Sequence, residues 1–225
     1  MFKINTSKAA IQQSGTSNYI SNSGIYDITI KFASIDVSSG GAKSVNFNID
    51  YNGNSQTIYG PYIFAKDGSP LEIGLGLINQ LAIIAGLRNG DQPTIETETH
   101  NVGKDNKAQD FNVITEFTDL PIKVRLQEEY SKNLNGEIRK ALVPKAFFSA
   151  EGASASEIMA REEGESVTIG KDLAKQDKYK DNITYRDELT AELVADWKAS
   201  KSNSGTPQAK PTPVAANKPA NSLFK

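Results

Sequence analysis

The chain has 225 residues, 38 % of them hydrophobic, with 25 Lys and Arg against 27 Asp and Glu. That length holds one medium domain with appendages, and a formal charge of −2 excludes a polycation. The absence of cysteine and the single histidine, His100, exclude structural disulfides and thiolate metal sites, and remove most zinc- and histidine-based catalysis.

Residues 1–23 are polar and rich in Ser, Asn and Gln, and they read as an N-terminal extension. From Gly24 to Phe64 the pattern is that of strands. Tyr26, Ile28, Ile30 and Phe32 alternate with Asp27, Thr29 and Lys31. Alternate side chains of a strand point to opposite faces, so one face is apolar and the other wet. After Ser38-Ser39-Gly40-Gly41 the alternation resumes as Val45, Phe47, Ile49 and Tyr51. Asn52-Gly53 then predicts a tight hairpin turn into Gln56–Phe64. The result is a three-stranded antiparallel meander.

A helix follows. Ser69 is the expected N-cap, Pro70 the first helical residue, and Glu72 lies in the first turn. Leu71, Leu75, Ile78, Leu81, Ala82 and Ala85 recur at helical spacing up to Gly86, so one face of the helix lies on the sheet. Arg88–Asp110 is a long polar excursion with a short strand candidate at Thr94–Thr99. Ile122, Val124 and Leu126 alternate with Lys123, Arg125 and Gln127. The Asn135-Gly136 turn leads into a last strand, Glu137–Phe148, where Pro144 demands an edge or a bulge. The order β-β-β-α-β-β predicts a mainly β, OB-fold-like five-stranded Greek-key barrel with one inserted helix, over residues 24–149.

Residues 150–199 read as an acidic helical extension. One helix is expected over Ser154–Glu163 with Ser154 as cap, and another over Thr184–Ala199 with Leu189, Leu193 and Trp197 on one stripe. Residues 200–225, rich in Pro, Ala, Ser, Asn and Lys, read as a disordered tail. Charge follows these divisions. Residues 1–150 carry 14 bases and 15 acids, residues 151–196 carry 6 and 12, and residues 197–225 carry five lysines and no acid.

No phosphate-binding glycine loop, nucleophile elbow or histidine pair occurs, so no enzyme is expected, and no cofactor or metal. Glu96, Glu98 and Glu116 read as solvated charges, and His100 as an exposed loop residue. No apolar run reaches the roughly 20 residues of a membrane span. The opening MFKINTSKAA has no apolar signal core, so a cytoplasmic location is expected. A binding surface is the better reading. Tyr59, Tyr62 and Tyr130 could stack bases, each contributing about 1–3 kcal/mol. Lys31, Lys43, Lys123, Arg125, Arg139 and Lys140 are the expected phosphate contacts along an outer groove.

The runs GIYDITIKFASIDVSSGGAKSVNFNIDYNG, LINQLAIIAGL, LPIKVRLQEEY and NGEIRKALVPKAFF resemble the small OB-fold single-stranded DNA-binding proteins of tailed bacteriophages, over Gly24–Phe148. The resemblance implies a protein that coats single-stranded DNA in phage replication and recombination, in the host cytoplasm. It implies replication or recombination proteins as partners, reached through a flexible tail. It also supports Lys123, Arg125, Arg139 and Lys140 as DNA contacts. Tails of that family are acidic with an aromatic tip, whereas this one is basic with Phe224 next to last. The alternative is a non-enzymatic protein-interaction module, whose Leu189/Leu193/Trp197 helix docks a partner or a second copy of the chain.

Overall fold

The computed structural model describes residues 19–103 and 107–203. The expected disordered tail lies outside them apart from its first residues, as do the expected contributions of residues 1–18. The described residues divide between Glu188 and Leu189 into two compact units. The first unit is mainly β. Its centre is β1 (Gly24–Val37), which runs antiparallel to β2 (Lys43–Tyr51), and β2 in turn pairs with β3 (Asn54–Ile58) and β4 (Tyr62–Phe64). The meander is therefore present, with its third strand broken in two at Tyr59–Pro61. Asn52 and Gly53 both adopt positive φ, 53° and 79°, as a two-residue hairpin turn requires.

The alternation expected in β1 fails at one place. A bulge between Ile30 and Phe32 inserts Lys31, so Ala33 replaces Phe32 as the next core residue, opposite Phe47. Phe32 turns instead to a stack with His100, ring centroids 3.9 Å apart, and it also touches Phe111. His100 is thus packed against a ring rather than free in a loop.

Helix α1 (Glu72–Ile84) starts two residues later than the cap residue Ser69 predicts. Pro70 bridges to Phe64 and the Leu71 N–H donates to the Ile63 carbonyl at 2.9 Å, so both residues continue the sheet before the chain can coil. Ser69 caps a local turn on Asp67 instead. Ile78 and Leu81 enter the core, while Ile73 faces solvent. The polar excursion is an antiparallel hairpin, β5 (Ile95–Val102) with β6 (Lys107–Ile114), and β6 joins β1 at Ala33 and Ser34. A 3₁₀ turn, Thr115–Phe117, precedes β7 (Leu120–Lys132).

β7 pairs along its first half with β1 and along its whole length with β8 (Ile138–Ser149). The register slips between Arg125 and Leu126, opposite Ala146 and Pro144, so the proline sits at a bulge, where its missing N–H costs no ladder bond. Past Leu126 the other edge of β7 is taken by a short parallel strand, β9 (Ile183–Tyr185). The sheet, antiparallel except at β9, thus has nine strands in the described residues rather than five or six, and its path does not close by hydrogen bonds. The core between sheet and helix is built from Ile28, Ile30, Phe47, Ile49, Leu81, Ile122, Leu126 and Phe147, among others. Truncating any of these to Ala costs about 2–5 kcal/mol by lost transfer energy and cavity formation.

Two short helices fill the extension. α2 (Ala155–Glu162) has the expected cap: Ser154 Oγ accepts from the Glu157 N–H, and Glu157 Oε2 accepts from the Ser154 N–H at 3.0 Å. α3 (Lys171–Asp177) has no signal strong enough to be read in the sequence. The helix expected over Thr184–Ala199 is corrected. Ile183–Tyr185 is strand β9, Asp187 and Glu188 have φ of 55° and 61°, and helix α4 (Ala191–Asn203) begins after them. In the second unit Leu189 and Val194 are buried and Leu193 is half exposed, so the expected Leu189/Leu193/Trp197 stripe is buried only in part, and Leu189 lies ahead of the helix. No described helix is long and apolar enough to cross a membrane.

Candidate nucleic-acid interface

β3 and β8 lie side by side without a ladder between them. Residues 19–22 enter this seam. Ile20 donates its N–H to Gln56 Oε1 and accepts from Gln56 Nε2, both at 2.9 Å, so one side chain stands in for a neighbouring strand. Lys140, from β8, donates to the Ser21 carbonyl. The Ile20 side chain is buried in the core. The N-terminal extension is therefore structural from Ile20 on. Beside it a cleft of about 340 Å³ is lined by Ser21, Gln56, Thr57, Tyr59, Lys140 and Leu142.

Tyr59 stands at this cleft, 70 % exposed, and Tyr62 is 54 % exposed. The short segment between them is held tightly. The Gly60 N–H donates to Asn46 Oδ1 at 3.1 Å, and the Val45 N–H donates to the Pro61 carbonyl at 3.1 Å. A Cβ on Gly60 would lie 1.8 Å from the Val45 carbonyl oxygen, and one on Gly74 would lie 1.9 Å from that of Tyr62. Only glycine fits at either position. Behind the segment a buried polar chain runs from Gly60 through Asn46 to Asp36, which also accepts from Ser34 Oγ. Nothing in the alternation of β1 and β2 announces this network. Its one sequence signal is the run of polar residues on the face opposite the core.

The nine sequence-predicted residues separate into groups. Tyr59 and Lys140 share the cleft, while Lys43 pairs with Phe64, two residues on from Tyr62, which pairs with Ser44. The Lys43 ammonium sits 5.9 Å over the Phe64 ring, with no acid partner among the described residues. Lys140 is shared with Glu128 at 3.1 Å. Lys31 and Lys123 are ion-paired with Asp119 and Asp27. Arg139 is exposed and donates to Ser131 Oγ.

Two residues are placed where a base or backbone cannot reach them as expected. Tyr130 is fully buried, donates to Glu128 Oε2 at 2.6 Å and stacks on Tyr185. Burial, then the bond to Glu128, pushes its phenol well above the ordinary value. Arg125 is 9 % exposed, and burial alone lowers its guanidinium from its usual value. The cause is the returning segment Tyr179–Arg186. Arg125 Nη1 donates to the Tyr179 carbonyl, Gln127 Nε2 donates to Thr184 Oγ1, and Arg186 pairs with Glu129. Three successive outward residues of β7 are thereby occupied.

Among the described residues no group of three or more His, Asp or Glu side chains converges on a metal position. Glu116 accepts twice from the Thr94 N–H, and Glu98 pairs with His100. No protein-family model matches the chain, and no curated protein matches it significantly.

Proposed function

We propose that this protein binds single-stranded DNA without strong sequence preference, as the phage OB-fold proteins it resembles do. The observation that carries the reading is the pair Tyr59 and Tyr62, two exposed rings on a segment locked by Gly60 and Gly74. Exposed rings on a rigid support lose little entropy when a base stacks on them, and every base has a face to offer. Lys43, on Phe64 two residues on from Tyr62, and Lys140, at the cleft with Tyr59, would supply phosphate contacts. The arrangement β3-β2-β1-β7-β8, with α1 between β4 and the return strands, supports an OB-like barrel. In that barrel the β5–β6 hairpin is an insertion, and the seam between the β3 and β8 edges is occupied by the Ile20 segment.

A gel shift comparing single with double strands tests the reading. Preferential binding of single strands that weakens steeply with salt is expected. Equal binding of both forms, or no binding at low salt, rejects it. In that case the interaction-module reading stands, and Leu193, half exposed on α4, is the first residue to probe.

A further inference from the structure

The outer face of β7 holds a cluster that the tyrosine surface does not use. Arg186 and Lys145 face one acid, Glu129, and Arg125 lies on the other side of Lys145, opposite Ala146. Glu129 Oε1 is taken by Arg186 Nε at 2.6 Å. Its Oε2 is buried without a hydrogen-bond donor, and Lys145 Nζ stays 3.9 Å away. Arg125 spends Nη1 on neutral acceptors, Gln127 Oε1 and the Tyr179 carbonyl. Its Nε is buried with no acceptor among the described residues, on a side chain nine-tenths removed from water. Three cations and one anion leave an excess of positive charge, largely buried at Arg125 and Lys145 and open to solvent at Arg186. Burial, and then the repulsion of Arg186 and Arg125 against the pull of Glu129, lowers Lys145 from its usual value.

An unpaired buried guanidinium nitrogen is costly, and this one belongs to a side chain next to the Lys145 ammonium. A ligand that supplies two negative charges and several oxygen acceptors answers the excess of positive charge. Guanidinium groups match such tetrahedral oxyanions in charge and in donor geometry. Arg186 is mostly exposed and Lys145 about a quarter exposed, so the cluster is reached from their side. We propose that Arg125, Lys145 and Arg186 form a binding site for a phosphate dianion, separate from the Tyr59 and Tyr62 surface. The phosphate is either free or the terminal group of a nucleic acid strand.

The test uses the full chain and titrates inorganic phosphate and pyrophosphate against chloride at constant ionic strength, read by calorimetry and by thermal melting. Saturable binding in the millimolar range or tighter, with a melting temperature that rises with ligand, is expected. Lys145→Gln and Arg186→Gln, chosen because both side chains reach solvent, should each weaken phosphate binding about tenfold or more. Tyr59→Ala should leave phosphate binding unchanged. Melting in chloride checks that each variant folds. A second arm compares 5′-phosphorylated with unphosphorylated oligonucleotides. A preference for the phosphorylated strand that is lost in Lys145→Gln assigns the strand terminus as the source, and phosphate binding without that preference assigns the free ion. Absence of saturable phosphate or pyrophosphate binding overturns the proposal, as does stabilisation of equal size in folded Lys145→Gln and Arg186→Gln. Neither result bears on the tyrosine surface, which is tested by Tyr59 and Tyr62 variants.

Discussion

Gly74, in the first turn of α1, presses its backbone against the carbonyl of Tyr62, so that any Cβ there would lie 1.9 Å from that oxygen. The helix and the tyrosine segment are therefore set by one contact. Gly74→Ala should destabilise the protein by about 1–3 kcal/mol through overpacking and should weaken oligonucleotide binding as Tyr62 shifts. Gly76, one residue further on from Leu75, meets nothing within 4 Å. Gly76→Ala should stabilise by about 0.4–1 kcal/mol, by helix propensity and a less disordered unfolded chain. Urea denaturation of the two variants gives opposite signs if the contact is as described.

Tyr59→Ala and Tyr62→Ala remove exposed rings and should leave the urea midpoint nearly unchanged. Each should cost about 1–3 kcal/mol of single-strand affinity. Fluorescence anisotropy with a labelled oligonucleotide measures this. Unchanged affinity in both variants would remove the tyrosines from the interface.

Tyr130→Phe deletes a hydroxyl whose acceptor, Glu128, is itself buried and shared with Lys140. The expected loss is about 1–3 kcal/mol of stability, with DNA affinity unaffected. Equilibrium unfolding and anisotropy on the same sample separate the two effects. A fall in affinity without a fall in stability would return Tyr130 to the binding surface.

Acid should loosen the extension first. Asp172 is held down to about 2, chiefly by Lys175 and then by Ser154 Oγ, with Ser156 adding a further bond. Glu157 is pushed up by burial, but N–H bonds from Ser154, Asp172 and Gly170 more than offset this and lower it. A carboxylate depressed in the folded state contributes stability above its unfolded value and loses it as pH falls toward the folded one. Stability should thus decline from about pH 4 down to about pH 2, and Asp172→Asn should flatten part of that decline. Urea midpoints taken at intervals across that range check it.

The meander, α1, the two return strands and the capped helix α2 were legible because each rests on local chemistry: alternation, Asn-Gly turns, and Ser154 three residues before Glu157. What was not legible depends on contacts far apart in sequence. The bulge at Lys31 leaves the alternation of β1 intact to the eye while turning Phe32 toward His100. Ile183–Tyr185 carries enough polar and aromatic character to suit either a helix or a strand, and the vacant edge of β7 decides. Arg125 alternates correctly with its apolar neighbours, yet the segment that covers it lies 54 residues on. The expected groove therefore lost Arg125 and Tyr130, while Tyr59 and Tyr62, flanking a Gly-Pro pair, kept the exposure their setting suggested.

The pairing of β9 with β7 has a consequence for biosynthesis. Ser23 Oγ accepts from the Glu128 N–H and donates to the Asn182 carbonyl, so the residues just ahead of β1 and β9 meet β7 at one hydroxyl. A nascent chain that has emerged only as far as Ser149 holds β1, β7 and β8 but leaves the far half of one β7 edge unpartnered. Such an edge invites pairing with another chain. Maturation then waits on the ribosome for the late-made residues 179–186, and a truncated product ending before them should aggregate at the bench.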